Sequence, residues 1–125
     1  MIPPLSNKKT ILVDFDGVIH KYLSPWRGYA VIPDDPVEGA IDWLKANILK
    51  YDIQIYSSRS KSADAIIAMQ QWLQVHGMTR TEVSNLKFPI QKPAAFLTID
   101  DRAFCFEGKF PSDDFINKFT PWNKI

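Results

Sequence analysis

The sequence predicts an α/β fold with a central, mainly parallel sheet and helices on both faces. Three observations carry this reading. Apolar runs of strand character recur at "KTILVDF" (9–15), "YDIQIYSS" (51–58) and "AAFLTID" (94–100). Segments with helical apolar stripes separate them. The resulting order of strand, helix, strand, helix, strand is what right-handed crossovers turn into a parallel sheet. A chain of 125 residues suits one domain, residues 1–125, and is long enough to bury a core.

The elements follow in order. In "KTILVDF" the apolar residues run without alternation, as in a strand buried on both faces. Residues 18–35 show no period and read as a loop or short hairpin. A helix is expected from "DPVE", with Asp35 as cap, Pro36 in the first helical position and Glu38 completing a capping box. Val37, Ile41, Leu44 and Ile48 make its apolar stripe. In "YDIQIYSS", Ile53 and Ile55 alternate against polar neighbours. A second helix is expected from about Ser62 to His76, with the stripe Ile66, Met69 and Leu73 and a stop at Gly77. A short strand is expected within 81–88, a buried strand over 94–100, a short edge strand over 102–106 and a last helical segment over 111–119. Trp43 and Trp72 read as packing residues, His76 as a helix-end residue and Cys105 as buried and inert.

Composition excludes several classes. Hydrophobic residues make up 46%, too many for a disordered chain, and a net charge of +1 marks no bulk affinity for nucleic acid or membranes. The single cysteine allows no internal disulfide and fits a reducing compartment. The first residues carry no signal-peptide pattern, and no apolar run is long enough to span a bilayer. The expectation is a soluble cytoplasmic domain with no membrane partner.

In a parallel sheet all strand C-termini open on one edge, where ligands bind. Here the first strand ends at Asp14, with Asp16 just beyond; the second ends at Ser57, Ser58 and Arg59; the third ends at Asp100 and Asp101. Lys92 lies in the approach to the third strand, and Lys87 somewhat earlier. Carboxylates gathered at one rim repel one another unless a cation compensates, and oxygen ligands without Cys or His favour Mg2+ over Zn2+. Mg2+ held this way also binds a substrate phosphate, whose other oxygens a lysine and a serine hydroxyl can serve. One carboxylate can act as nucleophile through an aspartyl-phosphate, and a second, two residues on, as acid and base.

These motifs resemble those of the haloacid dehalogenase (HAD) superfamily of phosphatases and phosphotransferases. "ILVDFDG" matches its Asp-x-Asp-Gly motif, "IQIYSSR" its strand ending in Ser or Thr, and "KPAAFLTIDD" its lysine and its acidic strand end. The matches fall in the family's order and span residues 11 to 101. The resemblance implies a three-layer Rossmann-like fold. It makes Asp14 the nucleophile and Asp16 the general acid/base. Mg2+ would be held by Asp14, the backbone carbonyl of Asp16, and Asp100 or Asp101. Ser57, favoured over Ser58 by the Ser-x-Arg pattern, would bind the phosphoryl group with Lys92. In the family, an acid two residues after the nucleophile accompanies phosphoryl transfer. The spacing leaves no room for a large cap domain, so the resemblance is to a small, capless phosphohydrolase. Such an open site admits bulky substrates, such as polymer ends, or is closed by a neighbouring subunit in a homo-oligomer. Residues 92–108 also resemble short bacterial and phage HAD-like proteins, which suggests a phosphorylated small molecule, nucleotide or nucleic-acid end as substrate.

Two other readings compete: a receiver-like signalling domain, and a catalytically idle phosphate-binding protein of the same fold. Receivers place their acidic pair on an early strand, whereas here it is on the late one. Residues 20–30, "HKYLSPWRGYA", interleave His20, Lys21 and Arg27 with Tyr22, Trp26 and Tyr29, a mixture that can stack on a base and bind phosphates. Alternatively, Trp26 pins the loop to the domain surface. Arg59 either contacts substrate phosphate or fixes the serine loop.

Overall fold

The structure is a computed structural model that describes residues 8–124. The N-terminal stretch read above for a leader falls, over residues 1–7, outside the described residues. Three parallel strands, β1 (Thr10–Val13), β2 (Asp52–Ile55) and β3 (Leu97–Ile99), form a sheet in the order β2-β1-β3. The helices are α1 (Ala40–Asn47), α2 (Ala63–Val75), α3 (Arg80–Ser84) and α4 (Asp113–Lys118), with short 3-10 turns over Ser58–Lys61 and Trp122–Lys124. The chain is therefore α/β with a small parallel sheet.

β1 is central and hydrogen-bonded on both sides, which explains its unbroken apolar run: Ile11, Leu12 and Val13 are all buried. Side-chain alternation sends Ile11, Val13, Ile53 and Ile55 to one face. There they join Leu44 of α1 and Ile48 just past its end, Met69, Trp72 and Leu73 of α2, and Val83 of α3 in one core cluster. The other face is more polar. Thr10 donates to the Asp52 carboxylate at 3.0 Å, Gln54 donates to it at 2.9 Å, and Lys87 pairs with it at 3.0 Å.

α2 matches expectation, with Ser62 as its cap accepting from Ala65 N–H at 3.3 Å. α4 falls within the segment expected to be helical. α1 begins later than expected. Asp35 and Val37 do not enter the helix, because their backbone groups pair with Lys21 N–H (3.0 Å) and the Ile19 carbonyl (2.8 Å) in a short hairpin-like ladder. The helix starts after Gly39, whose φ of 84° turns the chain into it.

The strand expected within 81–88 is instead α3, opened by a capping box between Thr79 and Glu82, and only Lys87 pairs with β2, through a single bridge to Gln54. The strand at 94–100 forms but is not buried. It lies beside β1 with no further strand paired outside it among the described residues, and Leu97 is 53% exposed. No edge strand forms over 102–106. The Asp100 carboxylate accepts from Arg102 N–H at 2.8 Å and turns the chain away from the sheet, which leaves Cys105 exposed rather than buried.

Candidate active site

The strand register brings the chemistry together. Val13 pairs with Ile55 on one side and Ile99 on the other, so the three strands end level. The next residue of each chain segment is Asp14, Tyr56 and Asp100, and one residue further come Ser57 and Asp101. Asp14 N–H donates to the Ile99 carbonyl at 2.9 Å, which fixes its backbone over the rim. A cleft of about 370 Å³ is lined by Asp14, Asp16, Tyr22, Trp26, Ser57, Ser58, Asp100, Asp101 and Arg102. A narrower extension of about 170 Å³ shares Asp14, Ser57, Ser58 and Asp100 and adds Lys92.

Asp14, Asp100 and Asp101 each place a carboxylate oxygen within 4.8 Å of the others. Burial, the charge of Asp100 and a hydrogen bond shared with Asp101 push the Asp14 pKa up from 3.8 to about 8. Near neutral pH Asp14 therefore keeps its proton. Asp101 Oδ1 is buried with no hydrogen-bond partner. A buried acceptor without a donor, beside a carboxyl forced to keep its proton, is the donor set that a hard cation satisfies. The residues present fit Mg2+.

Gly17 makes the close packing feasible. A Cβ there would lie 2.2 Å from Asp101 Oδ2, and its φ of 86° disfavours any side chain. The Gly17 carbonyl accepts from the Trp122 indole at 2.7 Å, while Asn123 donates to the carbonyls of Lys21 (2.9 Å) and Tyr22 (3.2 Å). Residues 122–124 thus clasp the loop that follows Asp14. No motif announces this contact.

Asp16 is held differently from Asp14. Burial alone would raise its pKa, but hydrogen bonds from His20 and Arg59 and the charge of Arg59 outweigh burial and lower it. Arg59 Nε donates to Asp16 Oδ2 at 2.8 Å, and His20 Nδ1 lies 2.8 Å from Asp16 Oδ1. Arg59 Nη1 also donates to the carbonyls of Gly28 (3.1 Å), Tyr29 (2.6 Å) and Val31 (3.0 Å). The Arg59 side chain is 1% exposed and turned inward, and it ties Asp16 and the 28–31 loop together rather than bonding within the serine loop.

Ser57 caps the 3-10 turn, accepting from Arg59 N–H at 3.0 Å, and also lines the cleft. Ser58 is exposed at the same rim. Lys92 lines the cleft, whereas Lys87 is engaged with Asp52 at the opposite end of β2.

The 20–30 loop divides. Trp26 lines the cleft and remains 42% exposed, with one ring face 4.6 Å from the Arg59 guanidinium. Arg27 is exposed and is not among the residues lining the cleft. His20 is wholly buried and so is no surface ligand for substrate. Its partnership with Asp16 was not foreseen; a histidine four residues after a carboxylate, in a loop, carries no signal of contact.

No helix among the described residues is long and apolar enough to cross a membrane. No family model, curated protein or solved structure matches the chain.

Proposed function

We propose that the chain is a Mg2+-dependent phosphohydrolase of phosphate monoesters, working through an aspartyl-phosphate on Asp14. The observation that carries this reading is the half-buried Asp14 carboxyl, lining one cleft with Ser57 and Lys92 and grouped with Asp100 and Asp101 in an acidic trio that raises its pKa. Asp14, the Asp16 carbonyl, and Asp100 or Asp101 would hold Mg2+, which when bound neutralises phosphate charge and frees Asp14 from its proton. Ser57, Ser58 and Lys92 bind the non-bridging phosphate oxygens. An Asp14 oxygen attacks phosphorus, the bond to the leaving oxygen breaks, and Asp16 gives that oxygen a proton. The Asp16 carboxylate then takes a proton from water, whose oxygen attacks phosphorus and releases phosphate and the Asp14 carboxylate. Asp16 is ionised before substrate arrives, and a phosphate dianion beside it raises its pKa toward the acid role.

The proposed fold is the capless three-layer arrangement that the HAD resemblance implies; the small parallel sheet with α1–α3 packed on one face supports this reading. The open cleft, with Trp26 and Tyr22 on its wall, suits a phosphorylated small molecule or a nucleotide or nucleic-acid end. The cytoplasm is the proposed setting, since exposed Cys105 stays a thiol there.

The test is hydrolysis of 4-nitrophenyl phosphate with Mg2+ and with EDTA, followed by a panel of phosphorylated metabolites and 5′- or 3′-phosphorylated oligonucleotides. Turnover with Mg2+ that EDTA abolishes is expected. Full turnover in EDTA overturns the metal assignment, and no turnover of any phosphate ester overturns the function.

A further inference from the structure

We propose that Arg59 and His20 are positioning residues for Asp16, holding its carboxylate so that its free lone pairs face the leaving-group oxygen. This rests on the phosphohydrolase reading above. Each carboxylate oxygen has two lone pairs, and Arg59 and His20 take one on each. Asp16 nevertheless lines the cleft, so the remaining lone pairs are available there.

The clamp is rigid on both sides. Asp34 N–H donates to His20 Nε2 at 3.0 Å, so Nε2 is the acceptor and Nδ1 carries the proton that Asp16 receives. The His20 ring is 0% exposed and fixed among Phe15 (5.8 Å, stacked) and Trp72 (5.7 Å, edge-on). Arg59 is tied to three loop carbonyls, with Trp26 across its guanidinium. A buried guanidinium is costly unless paired, and an apolar side chain could fill the same room. Placing the charge against one oxygen of a cleft-lining carboxylate serves to orient that carboxylate.

A general acid matters most when the leaving oxygen is a poor leaving group. Expulsion of 4-nitrophenolate needs little protonation, whereas an alkoxide needs a full proton. The experiment compares kcat/KM for 4-nitrophenyl phosphate and for a simple alkyl phosphate, with Mg2+, in the wild type and in His20→Leu, His20→Asn and Arg59→Lys. Circular dichroism checks that each variant is folded. His20→Leu and Arg59→Lys should lose at least ~10-fold more activity on the alkyl ester than on the aryl ester. His20→Asn, whose amide nitrogen can occupy the place of Nδ1, should recover most of the alkyl-ester rate. Equal losses on both esters, or His20→Asn no better than His20→Leu, overturns the assignment. If Arg59→Lys fails to fold, the two His20 variants decide. A wild type that hydrolyses neither these esters nor any member of the panel above overturns the phosphohydrolase reading, and this assignment with it.

Discussion

Replacing Asp14 with Asn should stabilise the metal-free protein, and the gain should grow with pH. The folded chain keeps a proton on Asp14 up to about pH 8, whereas the unfolded chain releases it near 3.8. Between those values the folded state binds more protons. The contribution is therefore full below about pH 3.8 and is lost as pH rises toward 8. At ~1.36 kcal/mol per pH unit the window spans a ceiling of about 6 kcal/mol. Asp14 is only partly buried, and water at the rim screens the cluster, so about 2–3 kcal/mol is expected. Asn never ionises and escapes the loss. Thermal melts in EDTA at pH 5, 6, 7 and 8 should show the variant gaining on the wild type by roughly 5–15 °C at the top of the range. Asp16, Asp34 and Asp52, whose pKa values are lowered, instead lose stability as pH falls, but they do so in both proteins and cancel in the difference. Saturating Mg2+ should raise the wild-type melting temperature more than the variant's. Parallel melting curves across the pH range, with equal response to Mg2+, would refute the buried-cluster reasoning.

Lys92→Ala should cost roughly 10–100-fold in kcat/KM, the worth of a charge-assisted hydrogen bond to phosphate. Lys87→Ala should leave turnover near wild type, since it breaks only an exposed pair with Asp52; the reverse ranking refutes the assignment. Gly17→Ala drives a methyl into Asp101 at a positive φ, and should cost ~1–3 kcal/mol in stability and weaken Mg2+ binding measured by calorimetry. Unchanged Mg2+ affinity would show that Asp101 is not held by that loop. Trp26→Ala removes the ring from Arg59 and should lower the melting temperature by several degrees, with aryl phosphate and oligonucleotide phosphates affected alike. A selective rise in KM for one nucleotide substrate at constant stability would instead make Trp26 a substrate platform.

How far these features could be read from the chain depends on the range of the forces that set them. β1 was legible because a central strand must be apolar on both faces. α2 was legible because cap, stripe and stop all lie within one local window. The rim was legible because a parallel sheet delivers every strand end to one edge. The start of α1 was not, because a capping pattern at Asp35 lost to a hairpin ladder with residues 19–21. α3 was misread although Thr79 and Glu82 stood at capping-box spacing; the apolar residues nearby suggested a strand. Exposure of Cys105 followed from one turn at Asp100, which no periodicity records. The clamp on Asp16 joins residues 16, 20 and 59, and only tertiary packing brings them together.

The clasp of Trp122 on Gly17 crosses 105 positions of chain. Synthesis makes the loop around Asp14 early and the residues that finish its geometry late. β1 likewise emerges before either of its neighbours, β2 and β3, has been made. Such non-local pairings are slow to form, because loop closure must come before any contact rewards it. A nascent chain therefore exposes Asp14 before the segments that pack around it, residues 52–57, 97–101 and 122–124, have been made. The rim gains its full set of carboxylates only once β3 pairs with β1, and its turn is closed only once residues 122–124 bond to residues 17–22.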